Sequence, residues 1–92
     1  MIEYDLIKAF LRLSTNKLRK VGFSNNEILI SMPHYKMFEF YNTLKKNYPH
    51  LKDLRIDRYY NISIVANYEN KIVVFPIDFN NYSDEYIIYK EL

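Results

Sequence analysis

The apolar residues of this chain change their repeat three times, and that succession limits the folds open to it. Over residues 3–21 they recur at helical spacing. Ile7, Phe10, Leu11, Leu18 and Val21 fall on one face, with Leu6 and Leu13 flanking it. Over 27–32 they alternate, with Ile28, Ile30 and Met32 on one side, as in a short strand. Helical spacing returns over 33–48, through Met37, Phe40, Tyr41, Leu44 and Tyr48, and alternation returns over 60–79. The predicted order is α-β-α-β-β-(β). This is an α+β fold of two layers, with two helices packed on one face of a small, mostly antiparallel sheet. A chain of 92 residues without linker, repeat or low-complexity segment reads as one domain over 1–92.

Local signals agree with these boundaries. Glu3 and Asp5 open the first helix, and Arg19 and Lys20 close it, an order that complements the helix dipole. Gly22, the one glycine, suits the left-handed position past the helix end, with Phe23 folding back toward Leu18. Ser14-Thr15-Asn16 is a weak helical stretch where a break is expected. Asn25-Asn26 reads as a turn, Pro33 as the first residue of the second helix and Pro49 as its stop.

Tyr60, Ile62, Ile64, Ala66 and Tyr68 alternate with Asn61, Ser63, Val65 and Asn67. Beyond Glu69-Asn70, Val73, Phe75, Ile77 and Phe79 alternate with Ile72, Val74, Pro76 and Asp78. A two-residue loop at 69–70 predicts a hairpin pairing 66 with 73, 64 with 75 and 62 with 77. It turns Ile62, Ile64, Val73, Phe75 and Ile77 inward and leaves Val65, Ile72 and Val74 on the outer face. Pro76 predicts that 71–79 is an edge strand or is bulged. Leu54–Asp57 reads as a short strand leading into Tyr60. Tyr86–Tyr89 reads as a final strand, or as a last helical turn capped from Ser83-Asp84-Glu85.

Composition works mainly by exclusion. Cysteine is absent, which removes disulfides, thiolate catalysis and thiolate-bound metals. The lone glycine leaves no loop able to cradle phosphate. His34 and His50 fall at opposite ends of the second predicted helix, about 24 Å apart at 1.5 Å per residue, and cannot share a metal. We assign no catalytic, cofactor-binding or metal residues and expect no cofactor. No apolar run is long enough to span a membrane, so no membrane partner is expected. The N-terminus places acids before bases, the reverse of a signal peptide, so the expected location is the cytoplasm.

The formal net charge is +2, but it is divided unevenly. Residues 1–58 carry eleven Lys/Arg against six Asp/Glu, and residues 59–92 carry two against five. Lys8, Arg12, Arg19 and Lys20, then Arg55 and Arg58, are the candidate contacts to a nucleic acid or an acidic partner. Tyr59 is a candidate for base stacking or for a protein contact. Val65, Ile72 and Val74, on the outer hairpin face, complete a candidate protein-binding patch with Tyr59.

Glu69-Asn70-Lys71, with Asp57 before it, looks like the PD-(D/E)xK nuclease pattern, but at a hairpin tip it reads as a polar turn. The stretch Leu54-Arg55-Ile56-Asp57-Arg58-Tyr59-Tyr60, with the strands after it, loosely resembles the central sheet of RelE-type mRNA endonuclease toxins. That resemblance implies a metal-independent ribonuclease using Arg55, Arg58 and one of Tyr82, Tyr86 or Tyr89. It also meets a departure, because a long helix precedes the first strand here.

Phe, Tyr, Met, Ile, Asn and Lys make up 49 of the 92 residues, against 10 for Gly, Ala, Arg and Pro, the signature of an AT-rich genome. Size and composition together lead to the expectation of a small, non-enzymatic protein-binding domain. It would be encoded by a phage or mobile element, would work in the host cytoplasm, and would inhibit or modulate a host complex, as anti-CRISPR-type inhibitors do. The alternative is a nucleic-acid-binding domain or RelE-like toxin using the basic first half. A homodimer is a further expected partner state.

Overall fold

The computed structural model describes residues 2–78 and 84–92. Helix α1 spans Ile2–Lys20, strand β1 Ile28–Pro33 and helix α2 His34–Asn47. Strands β2 (Arg58–Tyr59), β3 (Ile62–Asn67), β4 (Lys71–Pro76) and β5 (Ile88–Glu91) follow. They form one mixed sheet in the order β2-β3-β1-β4-β5. The α+β architecture is therefore as the periodicity predicts. No helix among the described residues is long and apolar enough to cross a membrane.

Helix α1 buries Tyr4, Ile7, Leu11, Ser14, Thr15 and Leu18. It does not break at Ser14-Thr15-Asn16. Thr15 is buried, and its hydroxyl donates to the Leu11 carbonyl at 2.7 Å, so the weak helix former is satisfied within the helix. Leu6, Leu13 and Val21 are exposed. The helix ends as expected: Gly22 has φ +114°, its N–H donates to the Arg19 carbonyl, and Phe23 N–H donates to the Leu18 carbonyl, both at 3.1 Å. The 3₁₀ turn Asn25–Glu27 follows, and the Ser24 N–H and hydroxyl both donate to Glu27 Oε1, at 2.9 and 2.7 Å. These bonds hold the Glu27 carboxyl below its ordinary value.

Strand β1 buries Ile28, Ile30 and Met32 almost completely, as predicted, and passes directly into α2. Pro33 caps that helix from an extended conformation (φ −56°, ψ 141°) rather than opening its first turn. Helix α2 buries Lys36, Met37, Phe40 and Leu44. Burial works against the Lys36 charge, but bonds to Glu3 and Glu39 outweigh it and hold its pKa above the ordinary value. Phe40 joins the layers, with Tyr4 stacked on it at 5.3 Å and Tyr59 tilted against it at 6.0 Å.

The predicted hairpin is split. β3 and β4 do not pair; β1 lies between them, parallel to β3 and antiparallel to β4. The connection 68–70 therefore crosses the end of β1. The four Cα steps from Asn67 to Lys71 reach about 13–14 Å, enough for the roughly 10 Å of two strand spacings. The insertion shifts the register by one residue. Ile64 lines up through Ile30 with Val74, not with Phe75. Every side chain of β4 is therefore on the face opposite to that predicted. Ile72, Val74 and Pro76 enter the core, and Ile77 is exposed. The parity of β3 is as predicted, with Ile62 and Ile64 buried.

β4 is not an edge strand. Ile77 N–H donates to the Glu27 carbonyl, and Leu92 N–H to the Asn70 carbonyl, so odd residues of β4 bond β1 and even ones bond β5. Pro76 turns its missing donor toward β5 beyond that strand's paired stretch, which ends at Val74↔Ile88. Leu54–Asp57 forms no strand. The C-terminal segment forms a 3₁₀ turn over Asp84–Tyr86 and then β5, so the final strand is present but starts two residues later than the predicted Tyr86–Tyr89. Phe79 and Ser83 lie outside the described residues.

Candidate functional site

The one tight hairpin of the sheet joins β2 to β3. Tyr59 pairs with Ile62, leaving Tyr60-Asn61 as a two-residue loop. Such loops need a positive φ at the first loop position, where glycine is favoured. Tyrosine occupies it here: Tyr60 has φ +54°, the one non-glycine residue with positive φ among those described. The residue is 72% exposed, and its ring makes a T-shaped contact with the buried Tyr59 ring at 4.8 Å between centres. An aromatic residue in a left-handed conformation is strained, and here burial gives little in return.

Tyr60 stands on the ridge between two grooves. The first, of about 640 Å³, runs between α1 and the β2–β3 turn, and is lined by Lys8, Arg12 and Arg19 with one carboxylate, Asp5. The three cations share a face of α1 because they lie four and seven residues apart. The second groove, of about 400 Å³, lies toward the α2–β2 connection and is lined by Lys52, Arg55 and Arg58 with Asp53.

Some of these cations are committed. Lys8 Nζ donates to Tyr48 Oη at 2.8 Å and lies 4.9 Å from that ring's centre. The Tyr48 hydrogen bond raises the Lys8 pKa against the opposing effect of burial, so Lys8 stays charged. Arg19 holds Asn25 at 2.7 Å and also Asn16, and Arg55 pairs with Asp57 at 3.0 Å. The side chains of Arg12, Lys52 and Arg58 make no hydrogen bond or ion pair among the described residues. Burial, then the Tyr60 hydroxyl, raise the Tyr59 pKa, with Lys8 and Arg12 opposing. The arrangement supplies fixed positive charge on both sides of an exposed ring.

Five of the six predicted basic contacts thus converge on this face, and Lys20 alone lines neither groove. The predicted protein-binding patch does not form. Ile72 and Val74 have no exposed surface and Tyr59 is buried; the register shift carries the first two into the core. Only Val65 is exposed. The ribonuclease set is also dispersed. Arg58 is on β2 and Tyr89 on β5, the opposite edges of a five-stranded sheet, about 19 Å apart at the usual strand spacing. Tyr86 packs edge-on against Phe23, and Tyr82 lies outside the described residues. Glu69 and Lys71 pair with each other at 3.3 Å. His34 lies against Phe38 and His50 against Tyr48, and no metal-binding cluster occurs among the described residues.

The sheet face away from the helices carries Leu29, Val65, Val73, Phe75 and Tyr89, contributed by four strands. Val65, Ser31, Val73 and Tyr89 form one row across it. The residue that sequence reasoning passed over is Tyr60. It falls in phase with the buried face of β3, and only the Asn61 beside it signals a turn. No protein-family model matches the chain, and no curated protein or solved structure matches it significantly.

Proposed function

We propose that this chain is a non-enzymatic binding domain whose ligand is an anionic polymer, held by the cations on either side of Tyr60. The observation that carries this reading is the convergence of Lys8, Arg12 and Arg19 with Lys52, Arg55 and Arg58 on two adjoining grooves. Three of these six side chains, Arg12, Lys52 and Arg58, have no hydrogen-bond or ion-pair partner among the described residues, so a ligand phosphate displaces no bond seen there. Glu91 lies on β5, at the other end of the sheet order, and neither it nor Glu69 or Glu85 lines either groove.

The test is binding of labelled oligonucleotides over a range of salt concentration. Affinity falls steeply as salt rises, because each neutralised phosphate releases counterions. Arg12→Glu with Arg58→Glu removes most of that affinity and flattens the salt slope by about 2. Glu85→Lys with Glu91→Lys leaves it unchanged or raises it. An affinity independent of salt, or insensitive to the arginine pair, overturns the reading.

A second reading is a protein-binding domain, of the phage or mobile-element kind that inhibits a host complex. What favours it is the face bearing Leu29, Val65, Val73 and Phe75. On this reading Val65→Asp with Val73→Asp abolishes partner capture and leaves oligonucleotide binding intact.

A further inference from the structure

We propose that the Tyr60 turn is a stacking platform for single-stranded nucleic acid. The strand crosses the ridge with a base on the Tyr60 ring and its phosphates in the two grooves. This rests on the anionic-polymer reading and adds which polymer and by what contact.

Three observations point to it. The first is conformational. Tyr60 holds a glycine position at φ +54° with 72% of its surface exposed, so neither backbone preference nor core packing explains a tyrosine there. Strain retained with little packing return beyond one ring contact marks a position where the side chain is used.

The second is accessibility. Lysines lie over the rings of Tyr4, Tyr35, Tyr41, Tyr48 and Tyr89, at 4.9–6.0 Å. Among the described residues no cation lies over Tyr60, and the residue remains 72% exposed beside its T-shaped contact with Tyr59, which leaves ring surface for a ligand.

The third is the arrangement of charge. Arg12 lies in one groove and Arg58 and Lys52 in the other, with the ring between them. A single strand offers this alternation, a planar base flanked by phosphates, while a duplex keeps its bases stacked away from such a ring. An acidic peptide matches the cations and leaves the ring without a partner.

The experiment is fluorescence anisotropy with a labelled 20-mer single strand, as DNA and as RNA, and the same sequence as a duplex. Polyglutamate serves as the competing polyanion. The wild type binds the single strand at least about tenfold more tightly than the duplex. Tyr60→Gly weakens single-strand binding at least about tenfold, within the range of one lost base–aromatic stack. It leaves duplex binding and the salt slope unchanged, and its thermal midpoint equals or exceeds the wild type's. Tyr60→Phe keeps the affinity, and so does Tyr68→Ala, which removes a fully exposed tyrosine outside both grooves.

Equal binding of single strand and duplex, with Tyr60→Gly inert, overturns the stacking proposal while the anionic-polymer reading stands. Polyglutamate displacing the single strand at equal charge concentration overturns it in favour of an acidic protein segment. Loss of salt dependence, or indifference to Arg12→Glu with Arg58→Glu, overturns both readings.

Discussion

Two connections in this sheet end in tyrosines exposed to solvent, and they are built in opposite ways. The Tyr60-Asn61 turn is as short as a hairpin loop can usefully be, and it puts an aromatic residue where glycine belongs. The crossing 68–70 carries a more exposed tyrosine, Tyr68, yet none of its residues has a positive φ and hydrogen bonds anchor both of its ends. Asn67 Nδ2 donates to Ser31 Oγ at 2.7 Å and to the Lys71 carbonyl at 3.2 Å, and its Oδ1 accepts from Glu69 N–H at 2.9 Å. Tyr35 Oη donates to Asn70 Oδ1 at 2.7 Å, and Asn70 Nδ2 donates to the Leu92 carbonyl at 3.0 Å. One connection is held by hydrogen bonds and carries a Glu69 paired with Lys71; the other is strained and lies beside Arg12 and Arg58, which have no partner among the described residues. The difference separates a segment that has to carry the chain across β1 from one that presents a side chain.

The comparison depends on β1 lying between the two strands, and the largest effect tests that. Ile72→Ala should cost about 2–5 kcal/mol, because Ile72 has no exposed surface, while Val73→Ala, at a half-buried position on the sheet face away from the helices, should cost less, about 1 kcal/mol. Urea denaturation of both variants checks this. The reverse order would mean that β3 and β4 pair directly, and the crossing described above would not exist.

Asn67→Ala comes next. It removes three hydrogen bonds at the crossing and leaves partly buried groups of Ser31 and Lys71 unpaired, so a loss of about 1–3 kcal/mol is expected. An unchanged denaturation midpoint would show that the crossing is not anchored by this side chain.

The same pair of connections shows what the sequence made legible. The helices, the Gly22 cap and the faces of β1 and β3 follow from periodicity, because a helix or strand that buries one side must repeat its apolar residues at its own period. The partner of a strand is not a periodic property. A polar two- or three-residue loop such as 68–70 fits a hairpin and fits a crossing over one strand, and the choice moves β4 by one residue. Both of its faces, Ile72/Val74 and Val73/Phe75, are apolar, so composition could not decide between them. The basic half of the site was visible as charge, since Lys8, Arg12 and Arg19 recur along one helix face. Its centre was not, because Tyr60 reads in phase with buried Ile62 and only the turn geometry takes it out of the strand.

The smallest effect is the one that bears most directly on the comparison. Glycine at position 60 relieves the left-handed strain, of order 1–3 kcal/mol, and gives up a ring contact with Tyr59 and some chain entropy, each about 0.5–1 kcal/mol. With each contribution at the middle of its range, the net change is a gain of about 0.5 kcal/mol. Glycine at position 68 has no positive φ to relieve and no buried ring to lose, so only the entropy term acts, as a loss of about 0.5 kcal/mol. Thermal denaturation of Tyr60→Gly and Tyr68→Gly should therefore place them on opposite sides of the wild type, or the first level with it and the second below. A Tyr60→Gly variant less stable than Tyr68→Gly would show that the Tyr60 ring stabilises the fold. In that case its unusual backbone would be explained by packing, with no ligand required.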